Sequence, residues 1–212
     1  MLFGRDVIQS VSRYLTDYDE TDPAYQYVEW SQKDLLGYWR QALAELALAM
    51  PTAFRKRVDI AVPADGFVDL PTECQGVLKV VGYIDAYGKL VTQIRQRPIR
   101  PGMFAADRPV CASTGNQQPG VAIDAANRQL FVDNPNAAAK LVINCCAPPT
   151  DITGDTPVEI EAKYRAALEW WMISMAFGTD IESGPMRERS DIYWRRGYDT
   201  LGIGRTAQGN KQ

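Results

Sequence analysis

Two kinds of hydrophobic period divide this chain, and their order constrains the fold more than any single residue does. Helix-period segments occupy both ends, at 3–15, 31–50, 157–182 and 185–201, while short strand-period segments fill 55–146. A chain that leaves a helical layer, builds a β-module and returns to helices has one favoured geometry: the helical pairs pack together and the module projects from them. The expected class is α+β, a helical bundle from N- and C-terminal helix pairs with an inserted small antiparallel β-sandwich or barrel. The expected divisions are a first helical half at 1–54, the β-module at 55–149, a second helical half at 150–201 and a flexible tail at 202–212. That plan suits an assembly part better than a pocketed enzyme.

The helical ends carry local signals. Phe3, Val7, Ile8, Val11, Tyr14 and Leu15 share one face of the first helix. Residues 16–29, with Asp17, Asp19, Glu20, Asp22 and Pro23, form a polar loop. Ser31 followed by Asp34 resembles a capping pair, with Trp30 placed to staple against Leu35. Leu35, Leu36, Trp39, Leu43, Leu46 and Met50 stripe the second helix, and Pro51 ends it. Thr156-Pro157-Val158-Glu159 predicts the start of a third helix, with Thr as cap and Pro at the first position. Ile160, Tyr164, Ala167, Leu168, Trp171 and Met175 share its main face, but Trp170, Met172, Ile173 and Phe177 fall outside it. A helix apolar almost all round is buried on more than one side, at the centre of the layer or against another subunit. Gly184-Pro185 restarts the chain into a fourth helix that mixes Met186, Tyr193, Trp194, Tyr198 and Leu201 with Arg187, Arg189, Arg195 and Arg196.

The middle obeys a different grammar. Arg57–Val62, Phe67–Leu70, Val77–Ile84, Leu90–Ile94, Val121–Ile123, Arg128–Val132 and Leu141–Cys145 are rich in β-branched or aromatic residues. Turn residues separate them, as in Pro63-Ala64-Asp65-Gly66 and Asp85-Ala86-Tyr87-Gly88. Residues 96–119 hold four prolines and little periodicity, which reads as a long functional or mobile loop.

Composition closes off several classes. The net charge of −3 gives no global basic field for nucleic acid. No stretch approaches the roughly 20 apolar residues of a membrane span, and no signal peptide is visible at Met1-Leu2-Phe3-Gly4-Arg5-Asp6, so a cytoplasmic origin is expected. Histidine is absent, which removes Ser-His and Cys-His dyads and the commonest metal ligand. Cys74, Cys111, Cys145 and Cys146 form no CxxC pair and are expected to be buried free thiols. No metal, cofactor or catalytic residue is expected.

Several strings need weighing. Asp17, Asp19 and Asp22 lack the glycine and bidentate glutamate of a calcium loop, so they read as solvated acids. Gly202-Ile203-Gly204-Arg205-Thr206-Ala207 matches GxGxxA, but a helix precedes it and no later helix or acid follows. Arg55-Lys56-Arg57 and the series Arg95, Arg97, Arg100 and Arg108, with Phe104 among them, are phosphate contacts, partner-facing charges or solvated faces. The aromatic and arginine residues of the fourth helix are ordinary core and surface, an interface hot spot or a stacking surface for nucleic acid.

The pattern resembles a known group. Val28-Glu29-Trp30-Ser31-Gln32-Lys33-Asp34-Leu35-Leu36 opens a helix, Val68-Asp69-Leu70-Pro71 follows a strand, and Leu130-Phe131-Val132-Asp133-Asn134-Pro135 ends another. Glu161 to Asp180 forms a long helix, and Tyr193 to Gly202 closes with an aromatic stretch and Leu-Gly. In this order, over roughly 5–202, the chain resembles the head-to-tail adaptor proteins of tailed bacteriophages, the tail-tubular-protein-A-like adaptors of short-tailed phages.

The resemblance implies a structural virion protein of the neck, assembled in the host cytoplasm, with no catalytic motif. It implies a homo-oligomeric ring, a dodecamer, beneath the portal protein and above a tail nozzle or tail tubular protein, with DNA passing transiently through its lumen and no membrane partner. The subunit or portal interface candidates are Trp170, Trp171, Met175, Arg189, Tyr193, Trp194, Arg195, Arg196 and Arg205. The tail-side candidates are Arg95, Arg97, Arg100, Phe104 and Arg108. The competing readings are a nucleic-acid-binding module built on the arginine clusters, a non-phage oligomeric scaffold and, last, a carboxylate-based virion glycosidase.

Overall fold

The computed structural model describes residues 1–15, 29–96, 119–179 and 184–203, with the backbone alone at 95–96. The acids Asp17, Asp19 and Asp22, most of the proline-rich loop and the tail beyond Ile203 lie outside the described residues. The chain divides into two compact units, Met1–Ala53 with Pro149–Gln212, and Phe54–Pro148. Among the described residues, four α-helices and several largely antiparallel sheets make it an α+β protein.

The helical unit holds α1 (Gly4–Tyr14), α2 (Gln32–Ala49), α3 (Arg165–Gly178) and α4 (Gly184–Thr200). Ser31 caps α2: its Oγ accepts from the Asp34 N–H at 3.2 Å and donates to the Asp34 carboxylate at 2.6 Å. The Trp30 ring N–H reaches the Ala176 carbonyl at 3.3 Å, tying the entry of α2 to the end of α3. Buried apolar residues at helical spacing build the core where α1, α2 and α3 pack on one another: Val7, Ile8 and Val11 from α1, Leu35, Trp39, Leu43 and Leu46 from α2, and Leu168, Trp171 and Met172 from α3. The all-round apolarity of α3 follows from its place: it packs on α1, α2 and α4 together.

Helix α3 starts later than its capping pattern predicts. Pro157–Val158 is a short strand, β10, paired antiparallel with β1 (Leu2–Phe3), and α3 begins only at Arg165 after a 3-10 turn at Ala162–Tyr164. The Thr156 hydroxyl accepts from the Thr153 N–H at 3.1 Å, so it closes a turn behind itself instead of capping forward. Burial of both Val158 and Ile160 fits the period of an extended strand, not of a helix. The Met1 ammonium then donates to the Ile160 carbonyl at 3.2 Å.

The second unit is a β-sandwich. One sheet has the order β2 (Arg55–Ala61), β9 (Lys140–Cys146), β4 (Gly76–Ile84), β5 (Leu90–Val91). The other runs β3 (Phe67–Asp69), β8 (Gln129–Val132), β7 (Gly120–Asp124), β6 (Arg95–Gln96). Every pairing is antiparallel except β6 with β7, which is parallel. Alternate residues from both sheets interdigitate: Val68, Val121, Leu130 and Val132 face Val80, Leu141 and Ile143.

Turn chemistry holds the strand ends. The Asp85 carboxylate accepts from the Tyr87 and Lys89 N–H groups, both at 2.9 Å, and Gly88 supplies the positive φ of +79° that the turn requires. Arg128 takes φ +55° without being glycine. Its guanidinium donates to the carbonyls of Pro71, Thr72 and Cys74 at 2.9, 3.3 and 2.8 Å, so one side chain gathers a whole turn.

The cysteines differ from expectation. Cys74 and Cys145 are joined as a disulfide, with Cα atoms 5.7 Å apart, while Cys146 is a buried free thiol. Alternation along β9 separates the neighbours: Cys145 points into the sandwich core, and Cys146 points away from it. Burial pushes the Cys146 thiol pKa up, away from the reactive thiolate. Cys111 lies outside the described residues.

Candidate interaction surface

The helical spacing of α3 places Trp170 and Phe177 two turns apart on one side, about 10.5 Å along the axis. The Tyr193 ring of α4 fills the gap between them. It stacks on Trp170 with centroids 5.6 Å apart and planes at 12°, and on Phe177 at 5.6 Å and 17°. Tyr14, from the end of α1, meets Trp170 edge-on at 5.7 Å, and its hydroxyl bonds that of Tyr193 at 2.9 Å. That hydrogen bond, followed by burial, raises the Tyr14 pKa.

Two arginines of α4 cover this stack. The Arg196 guanidinium lies 5.4 Å from the centroids of both Trp170 and Tyr193, and that of Arg189 lies 6.0 Å from Phe177. Positions 189, 193 and 196 share one helical face. Both arginines are exposed, Tyr14 is 48% exposed, and Trp170, Phe177 and Tyr193 are half-buried. The cations are therefore presented to solvent on a preorganised aromatic base, the residue chemistry that dominates interface hot spots.

A second aromatic group fastens α4 from behind. Trp171 is fully buried, with Tyr198 at 5.3 Å and Trp194 at 6.0 Å. The Tyr198 hydroxyl donates to the Glu45 carboxylate of α2. Burial and that carboxylate push the Tyr198 pKa up to about 12. Close approach of the helices is set by small residues: the Ser174 and Ser190 hydroxyls each donate to the other's carbonyl, at 2.7 and 2.9 Å, and Gly197 lies against the Trp171 indole.

The interface candidates thus sort by burial. Arg189, Arg195 and Arg196 are exposed, Trp170, Met175, Tyr193 and Trp194 are half-buried, and Trp171 is internal packing with no surface of its own. Arg205 lies outside the described residues, as do Arg97, Arg100, Phe104 and Arg108; Arg95 is described only as backbone of β6. Tyr14 and Phe177 join the surface although the sequence does not single them out for it. Their signal is spacing, since Phe177 follows Trp170 by two turns and Tyr14 ends the α1 face.

Other strings resolve into structure. Gly202 has φ +74°, its N–H bonds the Asp199 carbonyl, and the Ile203 N–H bonds the Tyr198 carbonyl. That is the paired-bond C-terminal cap of a helix, so Gly202 closes α4. Among the described residues no group of three or more His, Cys, Asp or Glu is placed to hold a metal ion, and no helix is long and apolar enough to cross a membrane.

The fold is thus a helical bundle with an inserted sandwich, and α4 carries exposed arginines over an aromatic stack. The family model described as SU10 adaptor protein matches residues 4–211. The chain belongs to this family of phage head-to-tail adaptors, which is structural and not a known enzyme family. No curated protein matches the sequence.

Proposed function

We propose that this adaptor forms a dodecameric ring at the phage neck, docked on the portal, and that DNA passes through its lumen. The exposed Arg189–Arg196 face on the Trp170–Tyr193–Phe177 stack carries the reading. On it, Arg189, Arg195 and Arg196 contact the neighbouring subunit or the portal, with Arg205 in the tail segment reaching the portal. Arg95, Arg97, Arg100, Phe104 and Arg108 contact the tail nozzle or tail tubular protein. The exposed charges of α4 favour a protein partner over a phosphate track: Arg187, Arg189, Arg195 and Arg196 are interleaved with Glu188, Asp191 and Asp199.

The test mixes the purified protein with its portal and images the product by negative-stain electron microscopy. A ring added to one end of the portal, lost on deleting 204–212 or on the pair Arg189→Glu and Arg196→Glu, is the expected result. Failure of the native chain to bind the portal at micromolar concentration overturns the proposal.

A further inference from the structure

The Arg55-Lys56-Arg57 cluster lies on a strand that stands at the edge of its sheet among the described residues. Strand β2 pairs one-to-one with β9 over its whole length, from Arg55↔Cys146 to Ala61↔Lys140, with no bulge and no proline in it. Among the described residues no strand lies on its other side. Two flanking bonds fix the phase of the ladder: the Ala147 N–H to the Phe54 carbonyl at 2.9 Å, and the Val62 N–H to the Ala139 carbonyl at 3.2 Å. Even-numbered residues of β2 therefore bond β9, and Arg55, Arg57, Asp59 and Ala61 turn their N–H and C=O groups outward.

The side chains show the same incompleteness. Val58, Ile60 and Val62 face the sandwich core yet are only partly buried, whereas Leu141 and Ile143 beside them on β9 are fully buried. Arg55, Arg57, Asp59 and Ala61 are exposed on the outer face. A sheet edge with half-covered aliphatic residues is a template for one more strand.

We propose that the added strand is β2 of a second copy, antiparallel, related by a twofold axis at Val58. Charge selects this register. The outward groups require odd residues to pair with odd ones. Centring on Arg57 sets Arg57 against Arg57 of the second copy, and centring on Asp59 sets Asp59 against Asp59. Centring on Val58 pairs all seven residues and places Arg57 opposite Asp59 twice. It also lays Ile60 against the aliphatic stem of Lys56, whose ammonium is already 3.5 Å from Glu73. The intrachain Arg57–Asp59 pair, at 3.7 Å, shows that both groups occupy the same face. A twofold contact closes on itself, so it belongs to the free protein and is separate from any contact that repeats around a ring.

The test is a charge-exchange experiment read by analytical ultracentrifugation. The native chain is expected to dimerise with rising concentration. Arg57→Asp alone and Asp59→Arg alone each set like charges opposite one another and weaken dimerisation about tenfold or more. An equimolar mixture of the two variants restores it, because each mutant face then meets its opposite. Hydrogen exchange supplies a second readout: the amides of Arg55, Arg57, Asp59 and Ala61 gain protection with concentration. A native chain that stays monomeric, single variants that dimerise like the native chain, or a mixture that fails to recover, overturns the proposal.

Discussion

Gly197 of α4 lies against the indole of Trp171, and a methyl group there has no room beside the ring. A glycine inside a helix ordinarily costs stability, so alanine ordinarily helps. At Gly197 the sign reverses. Gly197→Ala is expected to destabilise the helical unit by about 2 kcal/mol, the scale of overpacking. Gly37 of α2 has nothing within 4 Å of the same added methyl, and Gly37→Ala is expected to stabilise by about 1 kcal/mol. Urea unfolding of the two variants decides it, and equal shifts would contradict the packing.

Arg128 predicts a break confined to the sandwich. Arg128→Ala removes three hydrogen bonds from a guanidinium and keeps the left-handed backbone, with an expected loss of about 2 kcal/mol. Arg128→Gly relieves the backbone and should lose less. Native-state hydrogen exchange at 71–75 and 129–132 locates the effect.

Tyr198 gives a pH dependence with a definite sign. Its pKa rises from 10.0 to about 12 in the fold, so the folded state favours the protonated phenol. The stability it contributes is fully present below pH 10 and is lost as pH rises from about 10 to about 12. Alkaline unfolding followed by circular dichroism should therefore shift toward neutrality less steeply in Tyr198→Phe, which has no proton to lose.

The disulfide ties residues 71 positions apart. Reduction, or Cys74→Ser, is expected to destabilise the sandwich by about 4 kcal/mol on the chain-entropy scale. Peptide mapping of unreduced protein should find the 74–145 link, with Cys146 alkylated only after unfolding.

Arg196→Ala tests the proposed docking role apart from folding. Its guanidinium is exposed over the aromatic stack, so Arg196→Ala should change stability by under about 1 kcal/mol. Portal binding should fall more than tenfold, since a truncated interface anchor costs about 2 kcal/mol. Equal binding by native and variant chains removes Arg196 from the interface.

Much of this architecture was legible because period and turn chemistry act locally. The Val7–Ile8–Val11 and Leu35–Trp39–Leu43–Leu46 stripes, the Ser31 cap and the Asp85–Gly88 turn each lie within a few residues of sequence. What escaped depends on distant partners. Thr156 carries a good capping pattern, yet pairing of Leu2–Phe3 with Pro157–Val158 draws that stretch into a strand. Cys74 and Cys145 meet only once the turn at 71–75 folds beside β9. The surface stack was half-visible: Trp170, Tyr193 and Arg196 stand out by type, whereas Tyr14 and Phe177 acquire their role from helix packing.

The sandwich enters and leaves through neighbouring strands, since the Ala147 N–H bonds the Phe54 carbonyl at 2.9 Å. Both ends of a stretch of some ninety residues thus meet at a single doorway. To the helices, the whole insert is topologically a hairpin loop. It is a cassette: a lineage could lengthen, exchange or excise it with a short turn in its place, and the bundle's own chain path would remain continuous.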